Sequence, residues 1–385
     1  MFPAAAGQDD GVRGDLEELL ATARVFALPM VHRFRGVTVR EGVLLRGPAG
    51  WAEFAPFRDY TDAQCVPWLR AAVESATTPW PAPVRDQVPV NVIVPVIDAA
   101  RAADLVAASG CRTAKVKVAD PGTEPATDLA RVRAVRAALG PGGRIRIDAN
   151  GAWTVDQAVA AVAELDDAAG GLEYVEQPCP TLAELAAVRG RIRPAIAADE
   201  SIRRVDDPHA VRLTDAADIA IVKVAPLGGV RAALRLATAA GVPAVVSSAV
   251  DSAVGLAAGV ALAAALPELH HACGLGTGVL LAADVCAAPP RPVGGFLTSG
   301  SRAPDPDRID QVAADPAGTT YWLDRLRRVA RLTGNGTFGS GRSGGPRPGS
   351  SNDRDTFCRD RADPRGLLGP AAQRSVRSSG GDRRR

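Results

Sequence analysis

Lysine occurs at three positions only, Lys115, Lys117 and Lys223, although Lys and Arg together number 45. Two stand one residue apart in "CRTAKVKVAD", and the third lies in the apolar run "DIAIVKVAPLGG". A lysine can give up its proton when its surroundings lower its pKa; an arginine in practice cannot. The pattern therefore points to amines that must deprotonate, or to compact ammonium charges. Charged side chains are rare inside cores, so three lysines in strand-like runs argue for a site rather than a solvated edge. Carboxylates follow the same rhythm. "RIRIDAN", "LEYVEQP" and "AIAADE" place Asp148 with Asn150, then Glu176, then Asp199 with Glu200 at the ends of apolar runs. Three carboxylates gathered in one small cleft need compensation, and a divalent cation is the usual solution. Oxygen ligands without His or Cys suit Mg²⁺, with Mn²⁺ as a substitute.

The elements that must position these groups alternate. From about Pro89 onward, strand patterns ("VNVIVPV", "TAKVKV", "RIRIDAN", "LEYVEQP", "AIAADE", "DIAIVKV", "AVVSSA", "HACGLGTG") are separated by Ala- and Arg-rich helical stretches. The steps from Lys115 to Asp148, Glu176, Asp199, Lys223 and Ser247 each span about one strand plus one helix. Eight buried strands alternating with helices predict an α/β fold with a closed parallel barrel, whose active site gathers at the C-terminal strand ends. Alternation along "KVK" sends Lys115 and Lys117 to one side and Val116 to the other. Ahead of the barrel, "RGVTVREGVLLRGPAGWAEFAP" predicts two strands around the turn "RGPAG", and "TDAQCVPWLRAAVESA" predicts a helix. Simpler readings exist for single residues: Asp148 as a turn former, Glu200 as a first-turn acid favoured by the helix dipole. Their recurrence at successive strand ends, between the three lysines, favours chemistry.

Composition narrows the class. The chain has 385 residues, 46% hydrophobic and 23% charged, and a net charge of +2. From Thr333 onward, 11 Arg against 5 Asp give +6, so the body before it carries +2 − 6 = −4. Such a body is not a nucleic-acid binder; only the tail could support that role. Cys65, Cys111, Cys179, Cys273, Cys286 and Cys358 are scattered, without C-x-x-C pairs. They predict reduced thiols in a cytoplasmic protein rather than zinc or a disulfide framework. The N-terminus lacks signal-peptide order, and "AVGLAAGVALAAAL" is short for a membrane span and reads as a buried helix.

"KVK", "DANGAW", "YVEQP", "ADES" and "DIAIVKVAPLGG" together resemble the enolase superfamily, in the muconate-lactonizing-enzyme-like branch with lysines on both sides of the site. "FRGVTVREGVLLRGPAGWAEFAPFRDY" and "SSAVDSAVGLAAGVALAAALP" extend the likeness to the actinobacterial o-succinylbenzoate synthase family. The resemblance covers roughly residues 25–331. It implies a modified TIM barrel, (β/α)7β, under an α+β capping domain: cap at 1–88, barrel at 89–290, a segment returning to the cap at 291–332, and a tail at 333–385. Loops near Pro29–Arg35 and Ala49–Phe57 would close over the substrate.

The same likeness implies roles. Asp148, Glu176 and Asp199 match the Mg²⁺ ligands. Lys117 matches the general base and Lys115 its partner. Lys223 matches the lysine on the opposite face, its ammonium set against the substrate ring. Asn150 and Glu200 would support the ligands from behind, and Ser247 and Ser248 would touch the substrate. The implied reaction is dehydration of 2-succinyl-6-hydroxy-2,4-cyclohexadiene-1-carboxylate to o-succinylbenzoate, a step of menaquinone synthesis on a small-molecule carboxylate. Racemisation of N-acylated amino acids on the same scaffold stays open, as does a barrel kept only as a binding module. Dipeptide epimerisation fits less well, because "CGLGTG" stands where Asp-x-Asp is usual. The tail, rich in Gly, Ser, Arg and Pro, lacks a core-forming pattern and is expected to be disordered.

Overall fold

The computed structural model describes residues 16–34, 36–203 and 213–333. Apart from Thr333, the segment expected to be a disordered tail lies outside the described residues, as does Cys358. After a short helical stretch at residues 16–21 come three antiparallel strands: β1 (Arg24–Phe34), β2 (Val37–Gly47) and β3 (Gly50–Phe54). Register pairs Arg24 with Leu44 and Val43 with Phe54. Helix α1 (Asp62–Thr77) starts at a capping box in which Thr61 and Gln64 satisfy each other's backbone N–H groups. It packs on this sheet together with the last helix, Pro316–Thr333. Their shared core holds Leu45, Phe54, Trp68, Trp322 and Leu326, with Phe54 edge-on to Trp322 at 6.4 Å.

Both segments expected as closing loops are largely strand. Pro29–Phe34 completes β1, with a register irregularity between Pro29 and Phe34, and Gly50–Phe54 is β3. Arg35 lies outside the described residues. What the two segments present to the barrel is a pair of aromatic rings, Phe34 and Phe57.

After β4 (Gln87–Pro89), seven parallel strands follow: β5 (Val92–Val94), β6 (Thr113–Lys117), β7 (Arg144–Asp148), β8 (Tyr174–Glu176), β9 (Ala195–Ala198), β10 (Ile219–Val222) and β11 (Ala244–Val246). They neighbour one another in chain order. Each step is one strand, one helix and one strand, the simplest crossover. Val116, Ile145, Ile147 and Val175 face the surrounding helices within the main apolar core. Lys115, Lys117, Arg146, Asp148 and Glu176 alternate with them and are buried. The helix Ala253–Ala265 is almost wholly buried, as its small residues allow.

The eighth element departs from expectation. "HACGLGTG" forms no regular strand. Cys273 and Gly274 alone bridge the two sheet edges, pairing with Val90 and Ser247, before a 3-10 turn at Gly276–Leu280. The close approach explains the glycines. A Cβ at Gly274 would stand 2.6 Å from Ser247 Oγ, and one at Gly276 would stand 2.5 Å from the Asn91 carbonyl oxygen. Two residues thus complete a (β/α)7-like barrel beneath the N-terminal cap.

Candidate active site

Strand register sets the heights of the polar groups. Lys117 pairs with Asp148 and Asp148 with Glu176, so these three lie level at the barrel mouth. One layer deeper, Lys115, Arg146 and Tyr174 lie level. Arg146 floors the site: it donates to Tyr174 Oη (2.9 Å), the Ala272 carbonyl (2.8 Å) and Glu173 Oε2 (2.9 Å from Nε). The Lys115 side chain climbs from this layer to Asp148 Oδ2 at 3.1 Å and Glu176 Oε1 at 2.8 Å. Lys117 donates to Asp148 Oδ2, and to Asn150 Oδ1 at 2.7 Å. Lys223, just past β10, donates to Asp199 Oδ2.

All three lysines and all three carboxylates are buried. The structure therefore brings together Lys115, Lys117, Lys223, Asp148, Glu176 and Asp199. Asn150 also contacts Glu200, Nδ2 to Oε1 at 3.3 Å. Ser247 and Ser248 line the same small cavity, along with Phe34, Phe57, Ile93 and Thr277. Ser248 Oγ lies 2.8 Å from Thr277 Oγ1. A larger groove of about 440 Å³ runs past Trp153 outside the barrel, but no lysine lines it and the chemistry is elsewhere. The turn reading of Asp148 is realised as well: its Oδ1 accepts from the Asn150 N–H at 3.1 Å, leaving Oδ2 for the lysines.

Chain reversal at the mouth uses left-handed backbone. Among the described residues, the non-glycine positions with positive φ are Ala119 (59°), Asn150 (49°), Gln177 (41°) and Val250 (62°). Each lies one or two residues beyond Lys117, Asp148, Glu176 or Ser248. Such conformations cost about 1 kcal/mol or more apiece and collect where a site requires them. Gln177 shows one return. Its Oε1 accepts from the N–H groups of Asp199 (2.8 Å) and Ser201 (3.2 Å), fixing where the Asp199 strand end begins. Gln177, Arg203 and Thr277 are not among the residues the sequence singles out, whereas Phe34 and Phe57 fall inside the segments expected to cover the substrate. For Gln177 the signal was present in "EQP"; the others have no local signature.

Charge balance divides the lysines. Burial lowers the Lys117 pKa; Asp148 opposes this and neighbouring Lys115 adds to it, leaving the value below the ordinary one. Burial also acts on Lys115, but Glu176 and Asp148 outweigh it and hold that ammonium well above the usual range. Lys223 is lowered by burial, against Asp199 and with help from Arg203. Glu176 is pushed up to about 7 by burial and by Asp148, against the pull of Lys115. Its Oε2 is buried without a hydrogen-bond partner. Asp148 and Asp199 stay below their ordinary values, because Lys117 with Lys115, and Arg203 with Lys223, overcome the burial penalty. Among the described residues, no three Asp, Glu, His or Cys groups stand ready to grip an ion as placed, since ammonium groups draw the carboxylates.

Residues 25–76 match the family described as enolase N-terminal domain-like, and residues 98–304 the family described as enolase C-terminal domain-like. An o-succinylbenzoate synthase from Thermobifida fusca is 58% identical over 305 residues, 79% of this chain and 95% of that one. This chain belongs to the o-succinylbenzoate synthase family of the enolase superfamily. A second synthase of the family, from Mycolicibacterium smegmatis, is 52% identical over 312 residues, 81% of this chain and 96% of its own. Beyond the synthases, the fold is shared with muconate lactonizing enzyme from Pseudomonas fluorescens, at a TM-score of 0.63 and 21% identity, over 76% of this chain and 98% of the other. It is shared equally with the L-Ala-D/L-Glu epimerase from Bacillus subtilis, at 0.62 and 24%, over 73% and 96%.

Proposed function

We propose that this chain dehydrates 2-succinyl-6-hydroxy-2,4-cyclohexadiene-1-carboxylate to o-succinylbenzoate, with Lys117 as the base and Asp148, Glu176 and Asp199 as ligands of Mg²⁺. The observation that carries the reading is the buried set itself: three carboxylates at one barrel mouth, flanked by Lys115 and Lys117 on one side and Lys223 on the other. Its support as a metal centre is threefold. The donors are all oxygen, Glu176 Oε2 has no hydrogen-bond partner, and burial with the nearby Asp148 drives Glu176 toward neutrality. When bound, Mg²⁺ supplies the charge that lets a substrate carboxylate take on a second negative charge.

The chain's own groups do the rest. Neutral Lys117 takes the proton α to the carboxylate, and its lowered pKa suits it to that task. Lys115 stays protonated, holding Asp148 and Glu176 in place and keeping positive charge beside the base. The Lys117 ammonium then returns its proton to the departing hydroxyl. One C–H and one C–O bond break, water leaves and the ring becomes aromatic. Phe34, whose ring centre lies 5.1 Å from Lys117 Nζ, helps exclude water.

One observation favours a second reading. Lys223 is also lowered, as a racemase with two titrating lysines needs. Incubation in D₂O separates the two. The synthase reading expects aromatisation of the cyclohexadiene, followed by ultraviolet absorbance, with slow or no α-hydrogen exchange of N-succinylamino acids. Rapid racemisation without aromatisation would reverse the assignment.

A further inference from the structure

Arg203 ends the single helical turn Glu200–Arg203 that follows β9, and its side chain is only 4% exposed. The guanidinium is used in three directions. Nε donates to Asp199 Oδ1 at 3.0 Å, Nη2 to Glu200 Oε1, and Nη1 to the Tyr60 hydroxyl. Two carboxylates already balance the arginine's charge, so the contact with a phenol is not needed for neutrality. What it adds is position. Tyr60 belongs to the cap. Its ring packs at 6.0 Å from Phe57 and edge-on to Trp68 at 5.9 Å, and its carbonyl accepts from Arg325 of the last helix. Phe57 in turn borders the reaction cavity.

We infer that Tyr60 and Arg203 form a tether through which the seating of the cap sets the geometry of Asp199. Both are positioning residues. The inference rests on the reading of Asp199 as a metal ligand. Lys223 holds the Oδ2 atom of Asp199 and Arg203 holds Oδ1, so the arginine fixes the carboxylate plane from the side opposite the lysine. Lysine could not replace it, because a planar fork serves three fixed acceptors and a point ammonium does not. A cap that shifts away from the barrel withdraws the tyrosine oxygen and frees the guanidinium to rotate, carrying Asp199 with it.

Tyr60→Phe removes the acceptor and keeps the ring packing. Melting temperature is measured against Mg²⁺ concentration for wild type, Tyr60→Phe, Arg203→Lys and the double variant, beside kcat and KM. A ligand that binds only the folded state raises Tm with concentration, which gives an affinity independent of turnover. Tyr60→Phe is expected to melt like wild type without metal, to need about three- to tenfold more Mg²⁺, and to lose kcat more than KM. Arg203→Lys should show the same signature more strongly, and the double variant should be no worse than Arg203→Lys alone. Wild-type Mg²⁺ affinity in folded Tyr60→Phe, or additive losses in the double variant, would refute the tether. Should Tyr60→Phe not fold, Arg203→Lys with unchanged Mg²⁺ affinity would refute it equally. Absence of any Mg²⁺ effect on wild type would instead strike the metal assignment, and the tether with it.

Discussion

Replacing Lys117 by arginine tests the chemistry most directly. The substitution keeps a cation against Asp148 and Asn150 and a long side chain beneath Phe34, so the contacts that hold this strand end survive in kind. What changes is the ability to lose a proton. At about pH 8 an amine with the ordinary lysine value is neutral in roughly 0.4% of molecules, while a guanidinium with a pKa near 13.8 is neutral in about two per million. That difference alone is about 10³-fold, and Lys117 sits below the ordinary lysine value, which widens it. Lys117→Arg should therefore lose at least ~10³-fold in kcat, within the range for removal of a general base. The assay follows aromatisation of the cyclohexadiene by ultraviolet absorbance, with circular dichroism and a thermal melt to confirm folding. The wild-type kcat/KM should rise with pH below the Lys117 pKa, since the neutral amine is the active form. A folded Lys117→Arg protein that keeps more than about 5% of the activity would refute the reasoning.

Exhaustive chelation should abolish turnover and Mg²⁺ restore it, while Asp148→Ala, Glu176→Ala and Asp199→Ala lose that rescue; undiminished activity in metal-free protein would show the carboxylates acting otherwise. Glu53, pushed up to about 7 by burial and by Asp251, should weaken the fold as pH rises from its unfolded value of 4.5 through 7. Glu53→Gln is accordingly expected to raise Tm by about 2–4 °C at pH 8, roughly 1 kcal/mol, and to change little at about pH 5; equal shifts at both would contradict this. Gly276→Ala drives a methyl to 2.5 Å from the Asn91 carbonyl oxygen and should cost about 1–3 kcal/mol in a denaturant titration, with loss of activity as the wall bearing Thr277 moves.

The barrel and its chemical groups are legible in the sequence for one physical reason. Strand alternation and a strand-plus-helix repeat place Lys115, Lys117, Asp148, Glu176, Asp199 and Lys223 at equivalent positions along the chain, so a local pattern reports a spatial one. Contacts across long sequence separations have no such signal. Tyr60 meets Arg203 over 143 residues, and Phe34 reaches Lys117 from the first strand of the cap. Nothing near Arg203 marks it apart from the many other arginines. The segments that the resemblance places over the substrate do bring Phe34 and Phe57 to the cavity, but largely as strand: β1 absorbs Pro29 in its antiparallel pairing with Val39, with the irregularity falling just beyond. In "HACGLGTG" the glycines that permit close approach to Ser247 and Asn91 also prevent a regular strand, so an apolar run was read as more ordered than it is.

The barrel's last element is joined by two backbone pairings at Cys273 and Gly274 rather than by a ladder. In a laddered strand, inserting or deleting one residue flips every following side chain to the other face. Past Gly274 that rule has no hold. Between Leu275 and Leu280, positions other than the tightly fitted Gly276 can change without shifting the register of the seven regular strands, which sets the heights of the lysines and carboxylates. Thr277 sits on this stretch and forms part of the cavity wall. Side chains along this wall of the cavity can therefore vary while the lysines and carboxylates on the barrel strands keep their places.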